Sequence, residues 1–386
     1  MPAEFLPGNR LTLLNSGAEY FPALIAAISE ARHEVHLESY IFENDSTGQA
    51  VAGALMAAAR RGVSVRILVD GFGASAFANT LMPGLADVGA MVLIYRPDIA
   101  RFRLRRHRLR RLHRKLVIID SSVAFVGGIN VIDDCDTPHQ TPPRYDYAVR
   151  VEGPLLVSIQ HAMHRMWEIV AWAKLRQRYR FKQNSTPDPS PRGEQTASFV
   201  VRDNFRHRRD IEEAYLDAIA GAGDSILIAN AYFLPGRRFR RALIDAVARG
   251  VQVTILLQGR IEYRLLHYAT QALYGKLLSA GIRIFEYHRS FLHAKVAVID
   301  AQWATVGSSN IDPFSLLLAK EANIVVLDGK FTAELRASLG AAMQEGAQEL
   351  PHQRWQQRPW HARLLRWASY YLVRVAIGIS GYGGKH

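Results

Sequence analysis

Residues 112–130 read LHRKLVIIDSSVAFVGGIN, and residues 292–310, 180 positions later, read LHAKVAVIDAQWATVGSSN. Both stretches follow one pattern, in which His-x-Lys-x4-Asp precedes two small residues and an asparagine at matching offsets. Each copy supplies an imidazole, a cation and an amide donor, and two such sets can converge on one phosphate. The repeat therefore predicts a pseudo-symmetric phosphoryl-transfer site. The motif residues are His113, Lys115, Asp120, Gly128 and Asn130 in the first copy, and His293, Lys295, Asp300, Ser308 and Asn310 in the second.

The segments around the motifs are repeated as well. Each half has an apolar run that suits a buried strand, a glycine-capped helix end leading into a second strand, and an acidic residue that opens a later strand. Helix and strand patterns alternate, which predicts an α/β fold with two pseudo-symmetric domains. Each domain is expected to be a mixed, mostly parallel β-sheet flanked by helices, with one shared active site at the interface. The corresponding segments are 34–42 and 224–233, 59–70 and 248–258, and 145–153 and 320–329.

Length and composition suit two domains. The chain has 386 residues, 49% of them hydrophobic, which is enough to bury two substantial cores. A polar, proline-rich stretch in the middle is typical of a linker. We expect a first domain at 1–182, a linker at 183–197, a second domain at 198–350 and an amphipathic, membrane-associating segment at 351–386.

The carboxyl-terminal segment mixes aromatic and aliphatic residues with three arginines between Trp360 and Ile379. Tryptophan and tyrosine favour the headgroup level of a bilayer, and arginines there reach anionic phosphates, so the segment is typical of a peripheral anchor. A terminal helix packed on the protein's own core is the alternative. The sequence shows neither a secretory signal nor an uninterrupted apolar run of spanning length. The single cysteine, Cys135, fits a reducing cytoplasmic setting.

The net charge of the chain points to an anionic partner. A formal charge of +13 suits phospholipid or nucleic acid, and charge alone does not choose between them. The most basic stretch, 101–111, ends just before His113. This position favours docking of an anionic substrate, or of the membrane that carries it, at the entrance to the site. A solvated loop that only aids solubility is the alternative.

The motif residues themselves suggest a two-step reaction on a phosphodiester. One imidazole attacks phosphorus to form a phosphohistidine, and the second protonates the departing alcohol and then deprotonates the incoming one. Lys115, Lys295, Asn130 and Asn310 are expected to hold the non-bridging oxygens. Neither motif has further histidines or carboxylates at metal-ligand spacing, so we expect no metal and no cofactor.

The paired motifs resemble those of the phospholipase D superfamily over nearly the whole chain. Residues 112–130 and 146–154 resemble the bacterial cardiolipin synthases, and the arginine-rich insertion before the first motif is similar to their B-type branch, as is the lack of two amino-terminal membrane helices. The resemblance implies phosphatidyl transfer between two phosphatidylglycerol molecules, giving cardiolipin and glycerol. It also implies a peripheral enzyme on the cytoplasmic side of the inner (cell) membrane, with anionic phospholipids and the membrane surface as partners and no nucleic acid.

The resemblance also suggests roles for the paired histidines and their neighbours. His113 is expected to be the nucleophile and His293 the acid and base, although the symmetry of the motifs permits the reverse. Asp146 and Glu321 match the acidic positions that orient the motif histidines in the family.

Four other motif residues are expected to support the site. Asp120 and Asp300 belong to the two motifs, but we expect them to close hydrogen bonds around the motif loops rather than touch substrate. Gly128 and Ser308 are expected to let the backbone approach the phosphate closely.

Several alternatives remain open on the sequence. A phospholipase D-type hydrolase or another transphosphatidylase, with phosphatidylethanolamine as donor or glycerol as acceptor, would use the same motifs. A nuclease of the superfamily fits the charge but not the carboxyl-terminal segment, and a catalytically silent membrane-binding protein does not explain two complete motifs. Because one duplicated chain supplies both halves of the site, we expect a monomer.

Overall fold

The structure of the protein is a computed structural model. It describes residues 4–96, 110–135, 142–173, 184–203, 206–261, 263–356 and 359–377. Most of the arginine-rich run predicted to lie at the entrance to the site, 101–109, falls outside the described residues.

Helices and strands alternate through both halves of the chain. The first half contains β1 Leu6–Asn15, α1 Ser16–Glu30, β2 Glu34–Ser39, α2 Ser46–Arg60, β3 Ser64–Asp70, α3 Ser75–Asn79, α4 Leu81–Asp87, β4 Met91–Tyr95, β5 Leu116–Ile119, β6 Val123–Gly127, β7 Arg144–Tyr145, β8 Tyr147–Glu152 and α5 Leu156–Ala173. The second half contains β9 Gln195–Arg202, α6 Asp210–Gly221, β10 Ser225–Asn230, α7 Arg237–Ala248, β11 Gln252–Gln258, α8 Arg264–Ser279, β12 Arg283–Tyr287, β13 Phe291–Leu292, β14 Lys295–Ile299, β15 Trp303–Gly307, α9 Pro313–Leu317, β16 Glu321–Leu327, α10 Gly329–Gly346, β17 Ala347–Glu349, α11 His352–Gln356 and α12 Trp360–Ile377.

The longer strands join into one sheet that runs through both halves. Its order is β17-β12-β11-β10-β14-β15-β16-β9-β1-β8-β6-β5-β2-β3-β4, so the two halves mirror each other about the central pair β1 and β9. The α/β class and the duplicated mixed sheet are confirmed. Within this sheet, the described strands pair in parallel in β2–β3–β4 and in β10–β11–β12, and the other neighbours pair antiparallel.

Strand β1 connects the two halves. It pairs with β8 from Arg10 to Asn15 and with β9 at Leu6 and Asn9. The apolar residues beneath this junction form one core that includes Leu11 and Val149 from the first half and Val306 and Ile324 from the second. Strand β9 begins at Gln195, within the range given for the linker, and the domain ranges remain a proposal.

The parallel strands end on the side of the sheet where the motifs lie. All six residues of β2 are buried, with Val35 and Leu37 in the apolar core of the first half. Alternate positions on β2 carry Glu34, His36 and Glu38 instead. Two of these charges are paired, Glu34 with Arg66 at 3.1 Å and Glu38 with Arg114 at 2.6 Å.

Helix α12 packs one face on α8 and leaves the other exposed. Tyr370 and Val373 are buried in the core of the second half, whereas Trp360, Leu364 and Tyr371 are exposed. Helix α12 therefore packs on the protein's own core, as the alternative interpretation has it, and its exposed apolar face leaves membrane association a prediction. Among the described residues, no helix has the length and apolar character needed to cross a bilayer.

The buried His36 predicts a pH dependence of stability. Burial, followed by the nearby Arg66, His164 and Arg114, lowers the pKa of His36 well below its usual value. The unfolded chain takes up a proton on this side chain below about pH 6.5 and the folded chain does not, so stability falls as the pH drops below that value. We expect His36→Gln to remove about 1 kcal/mol of the loss between about pH 7.5 and 5.5.

Thermal unfolding at the two pH values measures this effect, with His33→Gln as the matched control because His33 is exposed three positions earlier on the chain. Equal pH slopes for the wild type and His36→Gln would contradict the assignment of a neutral, buried His36.

Candidate active site

The backbone segment that leads into each motif histidine, called the motif arm, is hydrogen-bonded to the other half of the chain. The His113 N–H donates to the Lys320 carbonyl at 3.0 Å, and the His293 N–H donates to the Tyr145 carbonyl at 2.8 Å. Strand β13 also pairs in parallel with β7, so the arm before His293 lies beside the arm before Asp146. These contacts bring each histidine next to the acidic residue that opens a strand of the opposite half.

The histidines and carboxylates are paired across the interface. His113 Nδ1 lies 3.0 Å from both carboxylate oxygens of Glu321, and His293 Nδ1 lies 2.6 Å from Asp146 Oδ2. Both acids are buried. An imidazole that donates its Nδ1–H to a carboxylate presents an unprotonated Nε2, the atom that can attack phosphorus or accept a proton. Neither half can build this arrangement alone.

Two buried lysines accompany the pairs. Lys115 Nζ donates to the His113 carbonyl at 2.8 Å and lies 5.3 Å from the centre of the Tyr40 ring. Lys295 Nζ lies 3.3 Å from Asp146 Oδ2 and also donates to the His293 carbonyl. Burial lowers the pKa of Lys115 to about 7, and the charge of Lys295 acts in the same direction against the attraction of Glu321.

Burial of the site favours the neutral form of both histidines. Burial lowers the pKa of His113, with Glu321 opposing the shift and Lys115 adding to it. Burial and then Lys295 lower the pKa of His293 further, to about 3. Burial alone would raise the pKa of Asp146, but Lys295 and His293 together lower it, so Asp146 is ionised. A phosphodiester anion bound here would favour the protonated form of either imidazole.

Gly128 and Ser308 support the carboxylates. A Cβ on Gly128 would lie 2.3 Å from Asp146 Oδ1, so only glycine lets this carboxylate pack there. At the equivalent position, the Ser308 hydroxyl donates to Glu321 Oε2 at 2.6 Å. The sequence predicted that these two residues admit a phosphate, whereas the structure has them against the acids, because the strand carrying each acid runs beside its own motif.

The motif asparagines are buried near the ends of the parallel strands. Asn130 Oδ1 accepts the Ile41 N–H at 3.2 Å, which leaves its Nδ2 amide to donate elsewhere. Asn310 Oδ1 has no hydrogen-bond partner among the described residues and is buried. Each of these side chains therefore has an amide group beside the motif arm that can still form a hydrogen bond, as expected of residues that bind a polar ligand.

Asp120 and Asp300 lie away from the histidines. Each carboxylate accepts three backbone N–H groups, from Arg32, His33 and Glu34 for Asp120 and from Gly223, Asp224 and Ser225 for Asp300. Because β5 separates Asp120 from Lys115, the two residues are about 16 Å apart along the chain. These contacts fit the expectation that Asp120 and Asp300 close hydrogen bonds around the motif loops, and do not favour a catalytic role for either, which stays a prediction.

Three further residues shape the site. The rings of Tyr40 and His113 are 4.7 Å apart, and the ring of Phe291 stacks on His293 at 5.9 Å. Asp70, at the end of β3, accepts the Leu112 N–H at 2.8 Å and so holds the backbone that leads into His113. Sequence reasoning missed Asp70, although a polar residue at the carboxyl end of a parallel strand is a recognised signal.

The described part of the chain contains no group of three or more His, Cys, Asp or Glu side chains placed to hold a metal ion. The expectation that the reaction needs no metal or cofactor stays a prediction. What the site does contain is two imidazoles, two ammonium groups and two carboxylates, a set suited to nucleophilic attack on phosphorus with acid and base assistance.

A duplicated α/β fold with crossed His–carboxylate pairs and a lysine beside each histidine defines a phospholipase D-like protein. The family described as "Cardiolipin synthase, PLD-like domain" matches residues 24–137 and 215–342. The chain belongs to this family.

Two relatives agree with this membership, and one solved structure shares the fold. The chain is 36% identical to "Cardiolipin synthase B" of Escherichia coli (strain K12), over 100% of this chain and 93% of that protein. It is 31% identical to "Major cardiolipin synthase ClsA" of Bacillus subtilis (strain 168), over 84% of this chain and 67% of that one. The crystal structure of phosphatidylserine synthase from Haemophilus influenzae Rd KW20 shares the fold, with a TM-score of 0.72, 13% identity and coverage of 98% and 96% of the two chains.

Because the carboxylates are exchanged between halves, Asp146→Asn and Glu321→Gln should each slow phosphodiester turnover by about 10²- to 10⁴-fold while the protein stays folded. An amide of the same shape leaves the packing intact but no longer holds the Nδ1–H tautomer or stabilises an imidazolium. Steady-state rates and melting temperatures of the variants measure both effects.

Glu152→Gln is the matched control, since Glu152 lies on β8 with Asp146 next to its start but pairs with Arg10 at the surface. If Asp146→Asn or Glu321→Gln turned over substrate within a factor of a few of the wild-type rate, the proposed role of the crossed carboxylates would be wrong.

Proposed function

We propose that the protein is a cardiolipin synthase, a phosphatidyltransferase that joins two phosphatidylglycerol molecules and releases glycerol through a phosphohistidine intermediate. The observation that carries the proposal is the pair of histidines, each held by the carboxylate of the other half with a buried lysine beside it. Full-length similarity to proteins named cardiolipin synthase B supports the same conclusion.

In the first step, His113 Nε2 attacks the phosphorus of one phosphatidylglycerol and the bond to the glycerol headgroup breaks. Binding of the phosphodiester anion favours uptake of a proton from solvent at His293 Nε2, and His293 gives this proton to the departing glycerol oxygen. In the second step, the headgroup hydroxyl of another phosphatidylglycerol attacks the phosphohistidine, the P–N bond breaks and His293 takes the hydroxyl proton. Cardiolipin leaves, and both imidazoles return to their starting states.

The order of roles rests on the different surroundings of the two histidines. Glu321 contacts His113 with both oxygens, which supports that imidazole as a base and nucleophile. Asp146 is shared between His293 and Lys295, and the pKa of His293 is about 3. Burial and Lys295 make the His293 imidazolium more acidic, which suits protonation of a departing alkoxide once the substrate anion favours its formation.

Four side chains would bind the phosphate as charge develops on it. Lys115 and Lys295 lie beside the histidines, and Asn130 and Asn310 follow the two motifs. Donors that are already in position and shielded from water stabilise a transition-state charge without reorganising during the reaction. We assign the non-bridging oxygens to these four residues.

The proposed substrates are membrane lipids, so the enzyme has to work at a membrane surface. We propose that phosphatidylglycerol and cardiolipin are its partners, that it works peripherally on the cytoplasmic side of the inner membrane, and that it is a monomer without a nucleic-acid partner. The exposed apolar face of α12 supports the membrane contact. One chain contributes both histidines, so no second copy is needed to complete the site.

Mass spectrometry of the lipids formed from phosphatidylglycerol vesicles in EDTA tests the reaction. We expect cardiolipin and glycerol from the wild type and neither product from His113→Ala or His293→Ala, because each variant lacks one of the two proton or phosphoryl carriers. Each variant should melt near the wild-type temperature, which separates loss of chemistry from loss of fold.

Each other outcome points to a different reaction. Phosphatidic acid in place of cardiolipin would make the protein a hydrolase, and turnover of phosphatidylethanolamine alone would change the donor. Loss of activity in EDTA that returns with a divalent cation would contradict the metal-free route. Activity recovered on mixing the two histidine variants would contradict the monomer.

The order of the histidines predicts which variant traps the intermediate. His293→Ala keeps the nucleophile but lacks the group that activates the second alcohol, so it should accumulate phosphatidyl-His113 when the donor carries a good leaving group such as p-nitrophenol. His113→Ala should form no adduct. Intact-protein mass spectrometry after a brief incubation detects the added mass, and an adduct on His293 in His113→Ala would reverse the two roles.

A further inference from the structure

A basic cleft lies between α7, α8 and α12, on elements that carry none of the motif residues. Its volume is about 840 Å³. Among the described residues that line it there is no carboxylate, while His352 and six cationic side chains face it. The six are Arg237, Arg240, Lys276, Arg363, Arg366 and Arg374.

Some of these cations are held in place by neighbouring groups. Arg366 Nε donates to Gln271 Oε1 at 2.8 Å, and its guanidinium lies 5.2 Å from the centre of the Trp355 ring. Arg240 Nη1 donates to the Pro235 carbonyl at 2.8 Å. These partners are an amide, an aromatic ring and a backbone carbonyl, and no carboxylate is among the described residues that line the cleft. Guanidinium groups fixed in this way are suited to phosphate oxygens.

An apolar stripe on α12 borders the cleft. Its members recur at helical spacing and lie on one face of the helix: Trp360, Leu364, Trp367, Tyr371 and Val375. Trp360 exposes 75% of its surface and Tyr371 exposes 61%. At 100° per residue, Arg363 and Arg374 fall between this stripe and the buried face of Tyr370 and Val373. The helix therefore presents apolar groups with cations along their edge, the order found across a lipid headgroup boundary.

The direction of α12 brings this surface toward the active site. His352 of α11 contacts Ser279 at the end of α8, and Arg366 of α12 contacts Gln271 nearer its start, so the chain passes back along α8 toward its start as it goes from α11 into α12. Helix α8 begins just after Tyr263, whose ring lies 6.0 Å from that of Tyr232. Tyr232 follows β10, which pairs with β14 at Lys295. A membrane that contacts α12 would consequently lie near the end of the sheet that holds the histidines.

We propose that this cleft is a second, non-catalytic lipid site, which binds the phosphate of an anionic phospholipid while the apolar stripe of α12 enters the same leaflet. The proposal rests on the membrane association proposed above but not on the reaction. A nucleic acid would satisfy the arginines yet leave the stripe in water, whereas an anionic bilayer satisfies both. Binding here would hold the active-site end of the sheet against the leaflet that contains the substrate.

Vesicle co-sedimentation of the full-length protein tests the site. We expect binding to vesicles of phosphatidylglycerol and phosphatidylcholine and weak binding to phosphatidylcholine alone. Arg363→Gln with Arg374→Gln should weaken binding about 30-fold, which corresponds to about 2 kcal/mol for two arginines near an anionic surface. Arg60→Gln with Lys330→Gln is the matched control, because both side chains are exposed and lie outside the cleft.

A second variant and a second readout keep the outcomes distinct. Trp360→Ser with Tyr371→Ser should weaken binding in high salt as well as in low salt, since the stripe contributes apolar burial. Turnover of a water-soluble short-chain phosphatidylglycerol should be unchanged in all three double variants, which also shows that they fold. Failure of the wild type in that assay would overturn the proposed function and leave the lipid site to be judged by binding.

Three results would overturn the lipid site itself. The first is wild-type vesicle affinity in the Arg363/Arg374 variant. The second is an equal loss of affinity in the Arg60/Lys330 control, which would mean that only net charge matters. The third is loss of binding to duplex DNA by the cleft variant with vesicle binding intact, which would make the cleft a nucleic-acid site.

Discussion

The exchange of carboxylates between the two halves is the constraint on which the rest of the structure depends. Glu321 orients His113 and Asp146 orients His293, so a working site exists only when both halves are docked in one register. The central pairing of β1 with β9 and the apolar core beneath it provide that register. The residues next to the two carboxylates fit the same arrangement. Gly128 lacks a side chain because Asp146 occupies the space, and Ser308 donates a hydrogen bond to Glu321.

The site has two lysines beside two carboxylates before any substrate arrives. Burial and the lysines lower the pKa values of the two imidazoles, which favours their neutral forms. A phosphodiester brings one negative charge, and a proton on one imidazole offsets it. Substrate binding thus prepares the acid that the first step needs. The same anion would raise the pKa of Lys115 from about 7 and keep that side chain charged during turnover.

The exposed apolar face of α12 and the His293 motif both lie in the second half of the chain. Helix α8 packs against the core of that half on one side and against α12 on the other, and its start lies near Tyr232 and the end of β10. Lipid headgroups bound beside α12 would therefore have a fixed position relative to the histidines. The first half carries buried charge instead, in the Glu34–Arg66 and Glu38–Arg114 pairs beneath α5. The two halves share a topology, but in the first half helix α5 covers buried ion pairs, whereas in the second half α8 is covered by α12.

The sequence by itself determined the α/β class, the duplication and the motif residues, because helix and strand periodicity and a repeat at matching offsets are visible along the chain without knowledge of its contacts. The resemblance to the phospholipase D superfamily pointed to the acids Asp146 and Glu321. Only the tertiary structure decided which acid serves which histidine, since pairing across an interface depends on strand register between distant segments. The same reason explains why Asp70 was missed and why Asp120 and Asp300, at the far ends of β5 and β14, bind backbone amides instead of substrate. It also explains α12, whose amphipathic pattern predicted an apolar face but not that α8 would cover one side and leave the other exposed.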